Sequence, residues 1–450
     1  MKVILIAFIV GIYGGILQAQ KTYVPDDHFE YYLETHNANG SVVSMGDANS
    51  LGDGVMNDSI PTSKIRNLTI LDVHSQQITD LTGIEDFDSL QVLKCYDNRL
   101  NTLDVHQNTA LTQLFCSEND LTALDLSQNR NLQLLSCSRN RLTRLEVARN
   151  DQLRMLYCSE NRLNNLDVTT NTFLQQLSCH HNQLTSINVR YNTNLQLLDC
   201  GFNRLTNLDV SQNVQLEHLA CNNNALDSLD VSRNTSLTWL SCSNNQIPFL
   251  DLTNNPELQS LYCASNQLTD LDLRNNTLLQ NLVCNANQIH VLDLTRNTAL
   301  TEIICSSNQL SFMDMRNGHN SQITSFNARH NPDLTCIFVD DAAWSQQHWT
   351  NIDSNSHFVE TQADCDALDM VEIPINEVVV YPNPTDGTVQ LKSPEKMYFV
   401  LSNIEGRILQ QGEMISGLNR LDMTGLPGGI YLLRLQDKKG GVSVHKLIKR

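Results

Sequence analysis

Between about residues 68 and 337 the apolar positions fall into two alternating half-units, LxxLxCxxNx and LxxLDLxxNxx, which together repeat every 21 residues. Within "LxC" and "LDL" two apolar residues flank a variable or polar one, so the outer pair points to one side and the middle residue to the other. Each half predicts one short strand followed by a turn. A single coil of this kind cannot bury its own apolar edge, whereas stacking about a dozen builds the continuous core that one unit lacks. The predicted fold class is therefore mainly β, a solenoid with two parallel sheets. At roughly 4.8 Å per strand neighbour, about twelve coils make a rod about 58 Å long.

Two asparagine columns accompany the leucines. One runs from Asn98 in steps of 21 to Asn308, the other from Asn108 through Asn129, Asn150 and Asn171 to Asn297. An inward asparagine offers a donor and an acceptor to backbone groups freed where the strand turns. A structural ladder is expected, in preference to a binding role.

These residues resemble the leucine-rich repeat family, specifically its 21-residue nested bacterial variant, over about residues 68 to 337. The resemblance implies a right-handed solenoid used mainly to recognise other molecules; it names no ligand.

Eleven cysteines, from Cys95 to Cys305, keep the 21-residue spacing without exception, and only Cys336 and Cys365 fall outside it. Cysteines stacked on parallel strands have Cβ atoms about 5 Å apart, beyond the roughly 3.5 to 4.5 Å of a disulfide. They are expected to be free, buried spacers. A metal cluster would need converging pairs such as CxxC, and the sequence has none. Cys336 and Cys365 bracket the stretch where the repeat decays and are expected to form a disulfide that closes a cap. Trp344 and Trp349 in that stretch are expected to cover the end of the core.

Residues 1–19 carry Lys2, an apolar run and "LQA" before a cleavable position, the pattern of a secretory signal. No later stretch approaches the roughly 18 apolar residues of a membrane span. Residues 20–67 predict an N-terminal cap with a helix in "PDDHFEYYLETH", Asp27 capping it and Phe29 and Leu33 on one face. Asp47, Asn49, Asp53 and Asp58 stand at spacings similar to a calcium loop, but Leu51 fills a ligand place and the twelfth residue is not Glu, so an ordinary acidic turn is expected, with calcium as the alternative.

The cap at the other end is placed at 338–366, followed by an acidic linker at 367–377. From 378 to 450, about seven short alternating runs predict a small antiparallel β-sandwich. "YPNPTDG", "NIEGRIL", "LPGGIYLLRL" and "HKLIKR" closely resemble the type A sorting domain of the bacterial type IX secretion system. That resemblance implies export by the type IX machinery and removal of the tail as the cargo is attached to surface lipopolysaccharide or released. By the same likeness Gly429, Tyr431, Lys446 and Lys449 match signal positions.

With 49 acidic against 30 basic residues and a formal charge of −19, nucleic acid and anionic membranes are poor partners, and no nucleic acid is expected. No HExxH, GxSxG, glycine-rich phosphate loop or CxxC is present, and no catalysis is expected. Adjacent His180 and His181 are weak metal spacing and otherwise turn residues. In the second half-unit an acidic column (Asp104, Asp125, Asp167, Asp209, Asp230, Asp251, Asp272, Asp293 and Asp314, interrupted by Glu146 and Asn188) should face outward. Its repulsion can be offset by nearby Ser, Thr or Arg residues or by a stripe of calcium ions. The first half-unit varies more on its outward side. There Phe115, Met155, Tyr157, His218, Trp239 and Tyr262 are candidate ligand contacts, in a surface or secreted protein that binds a protein or a glycan. A structural spacer of the cell envelope is the alternative, and a hydrolase accessory ranks below both.

Overall fold

The computed structural model describes residues 20–368, 378–393, 396–436 and 442–450. The expected signal at 1–19 and nearly all of the expected linker lie outside the described residues.

Thirteen three-residue strands, from Ile70–Asp72 to Ser325–Asn327, form one parallel sheet, each strand pairing with those one coil away. In-register pairing such as Leu114 with Leu135 lines up identical positions of successive coils. The middle leucines and the cysteines that follow are buried, while the residues flanking each leucine face outward. At about 1.5 to 3 kcal/mol per fully buried leucine, this continuous interior outweighs any single polar interaction in the coil. It runs without a break from Val24 in the first cap to Phe358 in the second.

The second sheet is shorter than the alternating pattern predicts. It has only four strands, Val291–Asp293, Phe312–Asp314, Cys336–Phe338 and His357–Val359. The earlier coils have no paired strand here but share the side-chain bonds of the later ones. Asn129 Nδ2 donates to Val105 O of the preceding coil at 2.9 Å, and Asp125 Oδ1 accepts from Ser127 N at 2.9 Å. Asn129 N donates to Leu126 O in the turn that follows, as Asn297 N does to Leu294 O.

The two asparagine columns differ chemically. Asn140 donates to Cys116 O and Cys137 O and accepts from Leu121 N, so its amide is used at both ends and ties two coils together. Asn213 donates to Val189 O and Asn192 O, but its Oδ1 has no partner. The same holds for all ten asparagines from Asn108 to Asn297 in that column.

All eleven repeat cysteines are free and buried. Val73 and Ala328 occupy the equivalent place in the terminal coils and are fully buried too, which marks the position as an apolar spacer. Burial pushes the Cys158 thiol up to about 12.

At the N-terminal end the helix Asp27–Thr35 buries Phe29 and Leu33 on the core, as expected. Its cap is Asp26, not Asp27. Asp26 Oδ1 accepts from His28 N and Phe29 N, and Oδ2 accepts from Thr79 N and Oγ1, so one carboxylate both starts the helix and pins it to the first coils. Gly83, at φ 102°, touches the same cap so closely that a Cβ would lie 2.6 Å from Tyr23 O. At the other end Trp349 packs against Phe326 and Phe358, and Trp344 lies edge-on to it, closing the core. Cys336 and Cys365 are disulfide-bonded.

The C-terminal unit has its own core and seven antiparallel strands in two sheets. One contains Val379–Tyr381, Thr388–Ser393 and Gly417–Asp422; the other contains Met397–Asn403, Ile408–Met414, Gly429–Gln436 and Val442–Lys449.

Two outcomes follow from these cores. A buried group left without a partner costs about 1 to 3 kcal/mol. Asn140→Ala strands Leu121 N and removes one of the two side-chain donors from each of Cys116 O and Cys137 O, which keep Asn119 and Asn161. Asn213→Ala strands no group, since Val189 O and Asn192 O keep the backbone donors Asn192 N and Leu195 N, and it deletes an acceptor that was already unpaired. Urea unfolding should show a loss of roughly 3 kcal/mol for the first and roughly 1 kcal/mol for the second; equal or inverted losses would contradict the bonding described. In a thiol titration with DTNB at pH 8, the native repeat cysteines should not react, while denaturation without reductant should release all eleven.

Candidate functional site

Each strand of the long sheet presents two outward residues, giving two columns across the coils. Met155, His218 and Trp239 lie in the first column; Phe115, Tyr157 and Tyr262 lie in the second. All six are half-buried by their column neighbours.

Three of the six come together. The ring of His218 lies parallel to that of Trp239, with centroids 3.9 Å apart and planes 6° apart, because parallel in-register pairing places one above the other. Trp239 meets Tyr262 at 5.6 Å, tilted by 46°. Met155 and Tyr157 share a strand three coils away from His218, and the Tyr157 hydroxyl is spent on Gln176 Oε1. Phe115 stands two coils further along. These three do not join the ring stack.

A second ring pair was not singled out by the sequence pattern. His181 stacks on Phe202 at 4.0 Å with a 13° interplanar angle, and His180 meets His181 edge-on. His181 and Phe202 hold the turn position two residues after each cysteine, with φ of 51° and 52°. The signal was there in the 21-residue spacing between two rings, applied to a turn column instead of a strand column. His180 Nε2 lies 3.8 Å from Asp199 Oδ2. Burial lowers the pKa of His218, with Asp199 opposing it. The surface from His180 to Tyr262 thus combines planar rings with one carboxylate.

The acidic column is outward as far as Asp293, and its charge is held by local bonds. Asp167 accepts from Thr169 N and Oγ1, Asp230 accepts from Ser232 N, and Arg274 donates to Asp272 through Nε and Nη2. The bonds from Thr169 and Ser232 hold the pKa values of Asp167 and Asp230 below the usual carboxylate range. Asp314 departs from the expectation of exposure. It is buried beneath the exposed Arg316, whose guanidinium donates to it and to Glu360 O, because the C-terminal cap covers this coil. Nor are Asp47, Asp53 and Asp58 gathered as a calcium loop would require. Asp53 pairs with Lys21 at 2.8 Å. Asp58 joins Asp27 and Glu30, the one trio of such donors within 4.8 Å of one another among the described residues. Glu30 in that trio already accepts from Asn57 N and Ser59 N.

The four tail residues singled out in the sequence share the last hairpin. Gly429 pairs with Lys449, Tyr431 with Leu447, and Leu432 with Lys446. Tyr431 is buried and donates its hydroxyl to Pro427 O at 2.6 Å. Lys449 is also buried, its Nζ donating to Thr424 O at 2.9 Å and to Leu426 O. Asn383 of "YPNP" donates to Lys446 O and accepts from Ile448 N, tying the first motif to the last strand. The motif residues thus hold the domain's own fold together.

Residues 379–450 match the family described as "Secretion system C-terminal sorting domain". Internalin J of Listeria monocytogenes serotype 4b (strain F2365) is 44% identical over 52 residues, which span 12% of this chain and only 6% of that protein. Among solved structures, the functional domain of InlJ from Listeria monocytogenes, described as including a cysteine ladder, aligns with a TM-score of 0.55 at 24% identity, covering 96% of this chain and 99% of that one. The internalin InlF of Listeria monocytogenes strain 4b F2365 gives a TM-score of 0.55 at 22% identity, over 68% of this chain and 97% of that one. The plant peptide hormone receptor RGFR1, solved in complex with RGF2, gives 0.51 at 18% identity, over 67% and 57%. Proteins of similar fold are thus internalins and a receptor, and the tail indicates export to the cell surface or the extracellular space. The chain is a leucine-rich repeat solenoid with a cysteine ladder, followed by a secretion system C-terminal sorting domain.

Proposed function

We propose that the chain is exported through the type IX machinery and binds a protein partner through the outward face of the long sheet, centred on His218, Trp239 and Tyr262. The observation that carries this reading is the ring stack itself. Aromatic anchors clustered near the centre of a face are the usual source of binding energy between proteins. A protein partner fits better than a glycan because one face of Trp239 is already covered by His218. A sugar ring stacks on an open aromatic face, whereas a protein side chain can also pack against ring edges. The receptor RGFR1, solved with RGF2, offers an example of this fold with a bound partner.

The two rings project from strands whose buried leucines carry the core, so their truncation should leave the fold intact. Replacing Trp239 and Tyr262 together by alanine should weaken adhesion of the secreted fragment to its target by about 2 kcal/mol or more, roughly thirtyfold, with the unfolding midpoint unchanged. Undiminished adhesion would favour a spacer that projects from the envelope without contacting a ligand.

A further inference from the structure

A groove on the other flank of the solenoid, of about 460 Å³, is lined by Asp209, Asp227, Asp230, Pro248 and Phe249 among others. The repeat provides a reference for judging it. In the column of Asp227 the two preceding coils carry Thr185 and Thr206, and in the column of Phe249 the three preceding coils carry Ser186, Asn207 and Ser228. Both departures, an added carboxylate and an added ring, fall in adjacent coils and on the same groove.

Phe249 is 64% exposed, more than any other large apolar side chain of the described residues between 68 and 337. Unlike Phe202, it stacks on no neighbouring ring among the described residues. An exposed ring at this position adds nothing to the core. The three carboxylates are held in place by local donors: Asp209 Oδ1 accepts from Ser211 N at 3.0 Å, Asp227 Oδ1 from Ser228 Oγ at 2.9 Å and Asp230 Oδ1 from Ser232 N at 2.9 Å. Arg190 and Arg233 lie close enough to act on Asp209 and Asp230, yet no ion pair among the described residues involves any of the three carboxylates.

We infer that this groove binds an arginine-bearing peptide segment of a partner protein, with a guanidinium seated between the Phe249 ring and the carboxylates of Asp209, Asp227 and Asp230. Opposite charge and a free aromatic face are the two elements of such a seat. The planar guanidinium can donate to a carboxylate through its edge while its face lies on a ring. The site lies away from the His218, Trp239 and Tyr262 stack and does not depend on the function proposed for it.

The test is fluorescence polarisation of a fluorescein-labelled tri-arginine peptide with the full chain in 0.15 M salt. Phe249→Ala and Asp227→Asn should each weaken binding at least fivefold. Asp293→Asn, which removes the same charge from the acidic column outside the groove, should change it by less than twofold. Tri-glutamate should not bind. Loss of binding in Asp293→Asn equal to that in Asp227→Asn would assign the effect to the diffuse charge of the surface and overturn the proposal. So would an unchanged affinity in Phe249→Ala, or no binding by the parent chain. Circular dichroism melts of each variant distinguish loss of the seat from loss of the fold.

Discussion

Every coil of this solenoid must pass its inward backbone groups to the next coil, and the Asn98 to Asn308 column does this. A turn that leaves a strand exposes carbonyl and N–H groups to an apolar interior, where each unpaired group costs free energy comparable to a lost hydrogen bond. Asn140 answers for two carbonyls and one N–H drawn from two coils. Once that bonding is fixed, the strand before it has one register, its leucine points inward, and the next residue but one falls on the spacer position that cysteine fills. Serine at that position would bring a more strongly hydrated hydroxyl into an apolar row, at a desolvation cost the thiol does not carry. The thiols are therefore explained by size and polarity, without redox chemistry.

The repeat made most of this legible. The leucines, the asparagine ladders, the unpaired thiols, the Cys336 to Cys365 bond and the seven-stranded tail all follow from spacing, alternation and a few turn signals. What spacing did not convey was which half-unit pairs as a continuous ladder and where bonds to the caps intervene. "LDL" alternates as well as "LxC" does, yet only the last coils pair there as strands, and the Asp and Asn bonds are not the reason, since Asp293 and Asn297 make the same ones in a coil that does pair. Asp26 and Asp27 are adjacent acids, and only tertiary bonding to Thr79 distinguishes the one that caps the helix. Asp314 sits in register with exposed aspartates, and the cap that buries it lies outside the repeat.

The candidate face was legible by column and not by contact. Listing large residues at outward positions named His218, Trp239 and Tyr262 together with Phe115, Met155 and Tyr157, since a list of positions does not show which rings meet. In-register parallel pairing decides it. Residues 21 apart in a strand column lie one above the other at roughly 4.8 Å, so His218 and Trp239 stack, whereas Phe115 and Tyr157 are two coils apart and do not. The same rule applied to the turn column after each cysteine accounts for His181 on Phe202. Stacking also has a cost for recognition, because a ring face committed to a neighbour is withdrawn from any ligand.

A repeat protein supplies its own reference state. At a given column the neighbouring coils show what the fold requires, and whatever a single coil adds beyond that requirement is available for another purpose. Conserving leucine, asparagine and the apolar spacer costs the surface nothing, since those side chains point inward. The outward columns can then change one coil at a time without disturbing register, because each coil contacts only its neighbours. On this basis the uniform aspartates of the second half-unit, held by their own Ser and Thr residues, are a background common to the coils, and Asp209 and Asp230 join a seat only where Asp227 and Phe249 are added beside them. Asp227 and Phe249 depart from their columns while the leucines beside them stay buried. Trp239 departs in the same way from the smaller residues of its own column, such as Gln176 and Ser260. The two flanks thus carry their departures within a few coils of one another, where one solenoid can offer two chemically distinct surfaces, one of stacked rings and one of carboxylates with a free ring.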